Sequence, residues 1–167
     1  RPGAEQPEIL RFANEQTGMG EGNIKIDKVS FDGNKATFDI SNVGTVDWHV
    51  QLKHGAIKLA NNQGYRLTFT VSSTTARTIK IGFMDTEYVN WYGGGDVVLN
   101  GTTNQKVTVD FYNSLGDNAN AQMMISMGKI DGVATPAGNI SFSDFCLVKC
   151  DTVTASSAGN GGGSNPN

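Results

Sequence analysis

The sequence has few charged side chains, few cysteines and no long apolar run. Charged residues make up 17% of the 167 positions, with 16 acidic and 13 basic side chains, and the basic ones are not clustered. Without a basic patch, the chain has no electrostatic basis for binding nucleic acid or an anionic membrane surface. No apolar stretch approaches the roughly 18 residues that a membrane-spanning helix needs. We therefore expect neither nucleic acid nor a membrane as a partner.

The two cysteines, Cys146 and Cys150, lie four positions apart in the segment FCLVKC. In an extended strand their Cα atoms would be about 13 Å apart, which is too far for a disulfide. They would pair only if the chain turned sharply between them. No cluster of histidines accompanies them, which argues against a zinc site. The cysteines therefore leave their redox state and the cellular compartment open.

The features that are present indicate an all-β protein. The chain contains 21 glycines, and most of it alternates apolar and polar residues with a period of two. Turn-forming segments separate the alternating stretches, as in DGN at Asp32, NNQG at Asn61 and SLGDN at Ser114. The strand candidates are NIKIDKV, KATFDIS, WHVQLK, GYRLTFTVSS, ARTIKIGF, KVTVDFY, AQMMISMG and NISFSDFCLV. Eight short strands without a convincing helix predict a β-sandwich of the jelly-roll type, although EILRFANEQTG has room for one helical turn.

Both ends of the chain resemble linkers. The first eight residues, RPGAEQPE, carry two prolines and no periodicity, and residues 154–167 form a glycine- and serine-rich tail. We therefore predict one domain over residues 9–153, cut from a longer multidomain chain.

Alternation also predicts which side chains face away from the core. Trp48, Val50 and Leu52 share one side of WHVQLK, which we expect to be the core side. The residues expected on the outer face are His49, Gln51 and Lys53, then Thr78, Lys80 and Gly82, then Gln122, Met124 and Ser126. If these strands are neighbours, they form one surface rich in amide, hydroxyl and ammonium groups. This composition suits a sugar, whose hydroxyl rim needs hydrogen-bonding partners and whose C–H face packs on aromatic rings.

Aromatic residues cluster in EYVNWYGGGD at positions 87–96. Tyr88, Trp91 and Tyr92 stand next to three glycines, which let the backbone bend and leave the rings uncovered at a sheet edge. The alternative is that Trp91 caps the core, since large aromatic side chains are usually buried. Composition does not decide between these two interpretations.

The segment DWHVQLKHGAIKLANNQGYRLTFTVSSTTARTIKI resembles family 4 carbohydrate-binding modules. It contains the Trp-x-x-Gln-Leu strand, the Tyr-x-x-x-Phe segment and the Arg-x-Ile strand of that family, in order. AQMMISMG and ISFSDFCLV resemble two later strands of the family, so the resemblance spans about residues 37–149. Residues 1–30 lack the family's opening motif.

The resemblance implies a jelly-roll sandwich of two antiparallel sheets with a concave cleft that binds a single β-glycan chain. Amorphous cellulose or another β-1,4- or mixed-linkage β-glucan is the expected ligand, with xylan and β-1,3-glucan as alternatives. Gln51, Gln122 and Lys80 match cleft positions of the family, and Ser126 shares their face. Tyr88, Trp91 and Tyr92 match a stacking loop, beside which Asp85 and Asn90 are expected to reach sugar hydroxyls. We assign His49 a hydroxyl contact as well, and not a catalytic role. For Trp48 core packing is the favoured interpretation, and a position at the strand end near the cleft rim is the alternative.

The resemblance further implies a structural calcium ion held by Asp144 and backbone carbonyl oxygens, because calcium prefers hard oxygen ligands. The alternative is that Asp144 only caps a turn. No organic cofactor is expected. The family context implies a secreted or cell-surface monomer that targets an appended glycoside hydrolase to polysaccharide.

Two other functions remain to be weighed against binding. A jelly-roll glycoside hydrolase acting on β-glucan needs two carboxylates that face each other across the cleft. Asp85 and Glu87 are two positions apart, but no strand carries two glutamates around an aspartate, and neither histidine lies in a nucleophile-elbow pattern. A protein-binding adhesion domain would have a charged or flat apolar outer face, which the amide-rich set argues against. We therefore predict a binding domain and not an enzyme.

Overall fold

The computed structural model describes residues 8–9, 16–19, 25–32, 35–132 and 137–157. Eleven strands are present in this part of the chain, and the first four are β1 (Glu8–Ile9), β2 (Gln16–Met19), β3 (Lys25–Asp32) and β4 (Lys35–Asn42). The others are β5 (Val50–Leu59), β6 (Gln63–Ser73), β7 (Ala76–Met84), β8 (Trp91–Asn100), β9 (Gln105–Asn113), β10 (Asn118–Ser126) and β11 (Gly138–Lys149). Two short 3-10 turns, Asp47–His49 and Ile130–Gly132, precede β5 and β11. Within the same part of the chain, no helix is long and apolar enough to cross a membrane.

The strands form two antiparallel sheets, which confirms the predicted jelly-roll sandwich. One sheet has the order β3-β4-β11-β6-β9, with β1 added beside β11, and the other has the order β2-β5-β10-β7-β8. Each sheet combines neighbours that are consecutive in the chain, β3 with β4 and β7 with β8, with neighbours that are distant in sequence, as when β10 lies between β5 and β7. All eight strand candidates of the sequence are strands here. The residues proposed for a helical turn contain β1 and β2, and positions 10–15 lie outside the described residues.

The core lies between the sheets and is filled by the inward side of each strand. Phe83 and Phe111 stack across the two sheets with ring centroids 4.4 Å apart, and Phe69 stacks on Phe145 at 4.8 Å. Val50, Leu52, Ile79, Ile81, Met123 and Ile125 line the inner face of the five-stranded sheet and are fully buried. Alternation therefore leaves Gln51, Lys80, Met124 and Ser126 on the outer face of that sheet, as predicted.

A buried arginine joins β7 to the end of β10. The guanidinium of Arg77 donates hydrogen bonds to the carbonyl oxygens of Met127 and Gly128, the second at 3.1 Å. Burial lowers the pKa of Arg77 to about 10. These bonds satisfy carbonyl groups that leave the sheet at the end of β10 and fix the position of the chain there.

The segment after β11 contacts the outer side of the six-stranded sheet at Gly64. The amide of Cys150 donates to the carbonyl oxygen of Gly64 at 2.9 Å. A Cβ atom on Gly64 would lie 1.9 Å from the carbonyl oxygen of Val153, so this close approach requires a glycine. Cys146 and Cys150 are not joined by a disulfide in the structure, a point that their spacing in the sequence left open, and burial raises the pKa of Cys146. The predicted linkers, residues 1–8 and 154–167, lie mostly outside the described residues and stay predictions.

Candidate functional site

The outer face of the five-stranded sheet carries three rows of side chains that cross the strands. Strand register places Gln51, Ser126 and Lys80 side by side in the first row. Lys53, Met124 and Gly82 form the second row. Gln122, Met84 and Trp91 form the third row, which includes a bulge between Phe83 and Met84. Side chains from four strands, β5, β10, β7 and β8, therefore share one surface.

A cleft of about 600 Å³ lies on this surface. Three aromatic side chains line it, Trp48, Tyr88 and Trp91, and two methionines, Met84 and Met124, contribute to its floor. Its polar lining consists of Asp47, Gln51, Lys53, Lys80 and Ser126. Aromatic and thioether groups beside a few placed hydrogen-bonding groups are the usual lining of a small-molecule or oligosaccharide site.

Gln51 and Ser126 form the polar centre of the floor. Gln51 Nε2 donates to Ser126 Oγ at 3.1 Å, and each residue is 7% exposed. The bond fixes the orientation of the Gln51 amide at the bottom of the cleft. Groups held in this way lose little conformational freedom when they bind a ligand.

One end of the cleft is a cluster of charges around Lys80. Lys80 Nζ lies 3.2 Å from a carboxylate oxygen of Asp131 and 3.9 Å from those of Asp47 and Asp96. Burial raises the pKa of Asp96, and the nearby charges of Asp131 and Asp47 raise it further, whereas Lys80 opposes the shift. Lys80 does line the cleft, but its ammonium group is shared among three carboxylates. The cleft therefore presents no uncompensated positive charge at this end.

The loop between β7 and β8 positions Tyr88. The Asp85 carboxylate accepts hydrogen bonds from the backbone amides of Val89 and Asn90, at 2.8 and 3.1 Å, and from Asn90 Nδ2 at 2.9 Å. Tyr88 has a φ of +61°, an uncommon value for a residue with a side chain, and its amide bonds to the Asp85 carbonyl at 3.3 Å. The loop leaves the Tyr88 side chain half exposed at the cleft.

Lys53 holds the Tyr88 side chain by its hydroxyl. Its ammonium group donates to the Tyr88 hydroxyl at 2.6 Å and lies 5.2 Å from the ring centroid, so it sits beyond the hydroxyl, near the plane of the ring. Lys53 therefore links the floor to the wall of the cleft, a role that its sequence position did not indicate.

Trp91 begins β8 and lies across the floor. The benzo end of its indole occupies the space that a side chain on Gly82 would fill. Its Nε1 atom is buried and has no hydrogen-bond partner in the described part of the chain. The structure thus decides between the two interpretations left open by composition: Trp91 is half-buried and lines the cleft instead of capping the core.

Tyr92, predicted as a stacking residue, lies on the opposite side of β8. It belongs to the core, is 5% exposed, and its hydroxyl accepts a hydrogen bond from Asn118 Nδ2 at 2.9 Å. Neighbouring residues of a strand point to opposite faces, so Trp91 and Tyr92 cannot both face the cleft. The assignment of Tyr92 to the site was wrong.

Asp85, Asn90 and His49 were also predicted as hydroxyl contacts, and none of them lines the cleft. Asp85 is 6% exposed, and its carboxylate is occupied by the loop bonds to Val89 and Asn90, including the Asn90 side chain. His49 is 7% exposed and its Nδ1 accepts a bond from the amide of Thr45 at 3.0 Å. These three residues shape the loops beside the cleft and do not line it.

The outcome for Trp48 is the opposite of that for the preceding residues. Alternation places Trp48 in the core, but its side chain is 52% exposed and lines the cleft. The chain is in the 3-10 turn Asp47–His49 at this point, so the two-residue period of β5 begins only at Val50. Gly44 and Asp47 are turn-forming residues just before Trp48 and were the available signal for this break.

Gln122 faces the same side of the sheet as Gln51, but the loop covers it. Its Nε2 donates to the carbonyl oxygen of Asp85 at 3.1 Å, and the residue is 7% exposed. It supports the β7–β8 loop instead of lining the cleft.

Asp144 lies at a bulge in β11, between the ladder pairs of Ser143 and Cys146, with a φ of +59°. Within the described residues, no group of three His, Cys, Asp or Glu side chains converges to hold a metal ion. The calcium ion at Asp144 stays a prediction.

Comparisons with known proteins agree with the geometry. A family model described as a carbohydrate binding domain, CBM_4_9, matches residues 8–137. A CBM4 structure superposes with a TM-score of 0.69 at 20% identity, covering 87% of this chain and 96% of its own. The N-terminal cellulose-binding domain of Cellulomonas fimi β-1,4-glucanase C has a TM-score of 0.58 at 15% identity, covering 73% and 82%.

A carbohydrate-binding module of Cellvibrio mixtus lichenase 5A, solved in complex with cellotriose, has a TM-score of 0.51 at 11% identity and covers 86% and 97%. A search among curated protein sequences finds no match.

Proposed function

The chain belongs to the CBM_4_9 family of carbohydrate binding domains, and from this premise we propose that it binds a single β-glycan chain in the cleft on its five-stranded sheet. The observation that carries the proposal is the convergence of Trp48, Tyr88 and Trp91 with the Gln51–Ser126 pair in one cleft. The rings suit the C–H faces of sugar residues, and the amide and hydroxyl suit the hydroxyl rims.

The expected affinity is moderate. One ring stacked on a sugar removes perhaps 50 Å² of apolar surface from water, which is worth about 1 kcal/mol at roughly 25 cal/mol per Å². Each hydrogen bond to a hydroxyl nets about 0.5–1.5 kcal/mol, because it replaces a bond to water. After the cost of association, a few such contacts give dissociation constants in roughly the micromolar to millimolar range.

We propose a β-1,4-linked or mixed-linkage β-glucan as the ligand, with xylan and β-1,3-glucan as the alternatives. Support comes from relatives of the same fold: one is a cellulose-binding domain and another was solved with cellotriose. Both belong to larger polysaccharide-degrading enzymes, β-1,4-glucanase C and lichenase 5A. This context supports a secreted module that holds an attached catalytic domain on its polymer.

The positions of the acidic residues at the cleft also favour a binding role over catalysis. Asp47, Asp96 and Asp131 all lie within 4 Å of the single Lys80 ammonium group. They are its ion-pair partners at one end of the cleft, whereas a glycosidase needs two carboxylates on either side of the scissile bond.

The test is affinity electrophoresis and titration calorimetry with hydroxyethylcellulose, barley β-glucan, laminarin, xylan and xyloglucan. We expect retardation by at least one β-1,4-linked or mixed-linkage glucan and no release of reducing sugar from it. Trp91→Ala should weaken that binding about fivefold or more, the loss of one stacked ring. Leu115→Ala is the control, because Leu115 is exposed but lies outside the cleft. Equal binding by Trp91→Ala, or no retardation by any glycan, would refute the proposed site.

A further inference from the structure

Gly82 stands in the centre of the cleft floor, directly under Trp91. A Cβ atom built on Gly82 would lie 2.4 Å from Trp91 Cζ3 and 2.5 Å from Cη2. The next nearest atom, at 3.4 Å, also belongs to the indole. Real Cβ atoms do not approach other carbon atoms this closely, so any side chain at position 82 would displace the ring.

The backbone gives no other reason for a glycine at position 82. Gly93 and Gly94 on the facing strand have φ values of +153° and +154°, which side chains disfavour, but Gly82 is not among the positive-φ glycines. A glycine within a strand weakens the strand, because it contributes no packing. At Gly82 the Trp91 indole packs in the space that a side chain would fill, and this packing offsets the weakness.

Packing is what holds the ring in place. Trp91 Nε1 makes no hydrogen bond with the described residues, so none of them restrains the indole through a polar contact. Trp91 is also opposite Met84 and close to the bulge after Phe83, where the ladder is irregular. The position of the ring therefore depends on the shape of the surface below it.

We propose that Gly82 is a positioning residue of the glycan site: by lacking a side chain, it lets the Trp91 indole sink into the floor and so sets the depth of the cleft. A residue with a side chain at position 82 pushes the indole up into the volume that a sugar would occupy, or turns it away. The effect on binding rests on the proposed function, whereas the position of the ring does not.

The first experiment follows the ring without any glycan. Trp48 and Trp91 are the two tryptophans of the chain, so Trp48→Phe leaves Trp91 as the sole indole fluorophore. In that background, Gly82→Ala should shift the Trp91 emission to longer wavelength and increase quenching by acrylamide. Gly95→Ala is the matched control, because a Cβ there meets nothing within 4 Å. Unchanged emission and quenching with Gly82→Ala would overturn the inference.

The second experiment separates displacement of the ring from damage to the fold. In a Trp91→Ala background the clash is absent, so Gly82→Ala should leave the thermal midpoint unchanged or raise it. In the native background the same substitution should lower the midpoint. If Gly82→Ala prevents folding, recovery of the fold in the double variant still supports the clash, and an equally unfolded double variant overturns it.

The third experiment measures glycan binding. Gly82→Ala should weaken the affinity for the glucan bound by the native protein about fivefold or more, as expected when one ring no longer stacks. Gly95→Ala should bind normally. A displaced ring with unchanged affinity would overturn the positioning role. If the native protein binds none of the glycans while the fluorescence shift occurs, the proposed function fails and the placement of Trp91 by Gly82 stands.

Discussion

Trp48 and Trp91 are the only tryptophans in the chain, and both line the cleft. Trp48 stands on a 3-10 turn at the cleft rim and packs edge-on against His49, with ring centroids 4.7 Å apart. A half-exposed indole contributes little to the core, so its presence at this position is better explained by a partner outside the fold.

We predict that Trp48→Ala weakens glycan binding about fivefold and changes the free energy of unfolding by less than about 0.5 kcal/mol. The loss of affinity corresponds to one unstacked ring, and exposed side chains usually have small effects on stability. Calorimetric titration and urea unfolding measure the two quantities. Leu115→Ala removes a side chain of the same exposed fraction, 52%, from outside the cleft and should change neither. A large loss of stability with Trp48→Ala would show that Trp48 belongs to the core and contradict the prediction.

At the level of single residues, alternation predicted only part of the site. It correctly placed Gln51, Lys80 and Ser126 on the outer face, because the strand period is regular there. It failed for Trp48, where a 3-10 turn interrupts the period. It also could not reveal that Asp85 and Asn90 bond to each other, since nothing in the sequence shows how a loop folds back on itself.

At the scale of elements, β8 shows how a glycine run can mislead. Gly93, Gly94 and Gly95 suggested a bend, and they pair with Phe83, Gly82 and Ile81 in an antiparallel ladder whose only irregularity, a bulge, lies just before Gly93. β8 is the edge strand of its sheet, so the expectation of rings at a sheet edge was correct for Trp91. The small residues bring β8 close to β7 without side-chain crowding, a pairing that only the folded chain displays.

The loop that joins β7 to β8 provides the second prediction. Asp85→Ala should lower the free energy of unfolding by about 1–3 kcal/mol, because two backbone amides and the Asn90 side chain lose their acceptor. It should also weaken glycan binding, since Tyr88 is no longer held at the cleft. Urea unfolding, calorimetry and hydrogen exchange at the Val89 and Asn90 amides measure these effects.

Glu87→Ala is the control for this loop, because Glu87 is an exposed acid two positions away. It should leave both stability and exchange unchanged. Loss of binding by Asp85→Ala with unchanged stability and exchange would instead make Asp85 a direct ligand contact.

At the scale of the whole molecule, the fold class was readable from the sequence and the arrangement of strands was not. Strand length, alternation and turn residues are local features, and they predicted eight strands and a sandwich. The placement of β10 between β5 and β7 depends on contacts between residues 38–75 positions apart. No local pattern specifies those partners, and the resemblance to a known family implied two antiparallel sheets without giving the order of the strands.

The charge cluster makes the stability of the molecule depend on pH. The pKa of Asp96 is raised in the folded state, first by burial and then by Asp131 and Asp47. As the pH falls through that raised pKa towards 3.8, the ordinary value, the folded protein takes up a proton before the unfolded chain does. Ionisation of Asp96 therefore lowers the free energy of unfolding at neutral pH, and protonation on acidification removes this loss. The effect is small because the side chain is 46% exposed.

Asp96→Asn removes that contribution. We predict that the free energy of unfolding of the native protein, minus that of Asp96→Asn, increases as the pH is lowered through the acidic range. Urea unfolding at a series of pH values measures this difference. Glu87→Gln, which removes an acid distant from Lys80, should not reproduce it. A difference that is constant or shrinks on acidification would contradict the assignment.

The segment that follows β11 crosses the outside of the six-stranded sheet at Gly64, whereas the cleft opens on the outside of the other sheet. The two features therefore face in opposite directions. A biotin group coupled to an engineered attachment point at exposed Ser156 would attach the protein to a sensor chip through the side opposite the cleft. Dissolved polymers much larger than the protein would then approach the recognition surface without hindrance from the support.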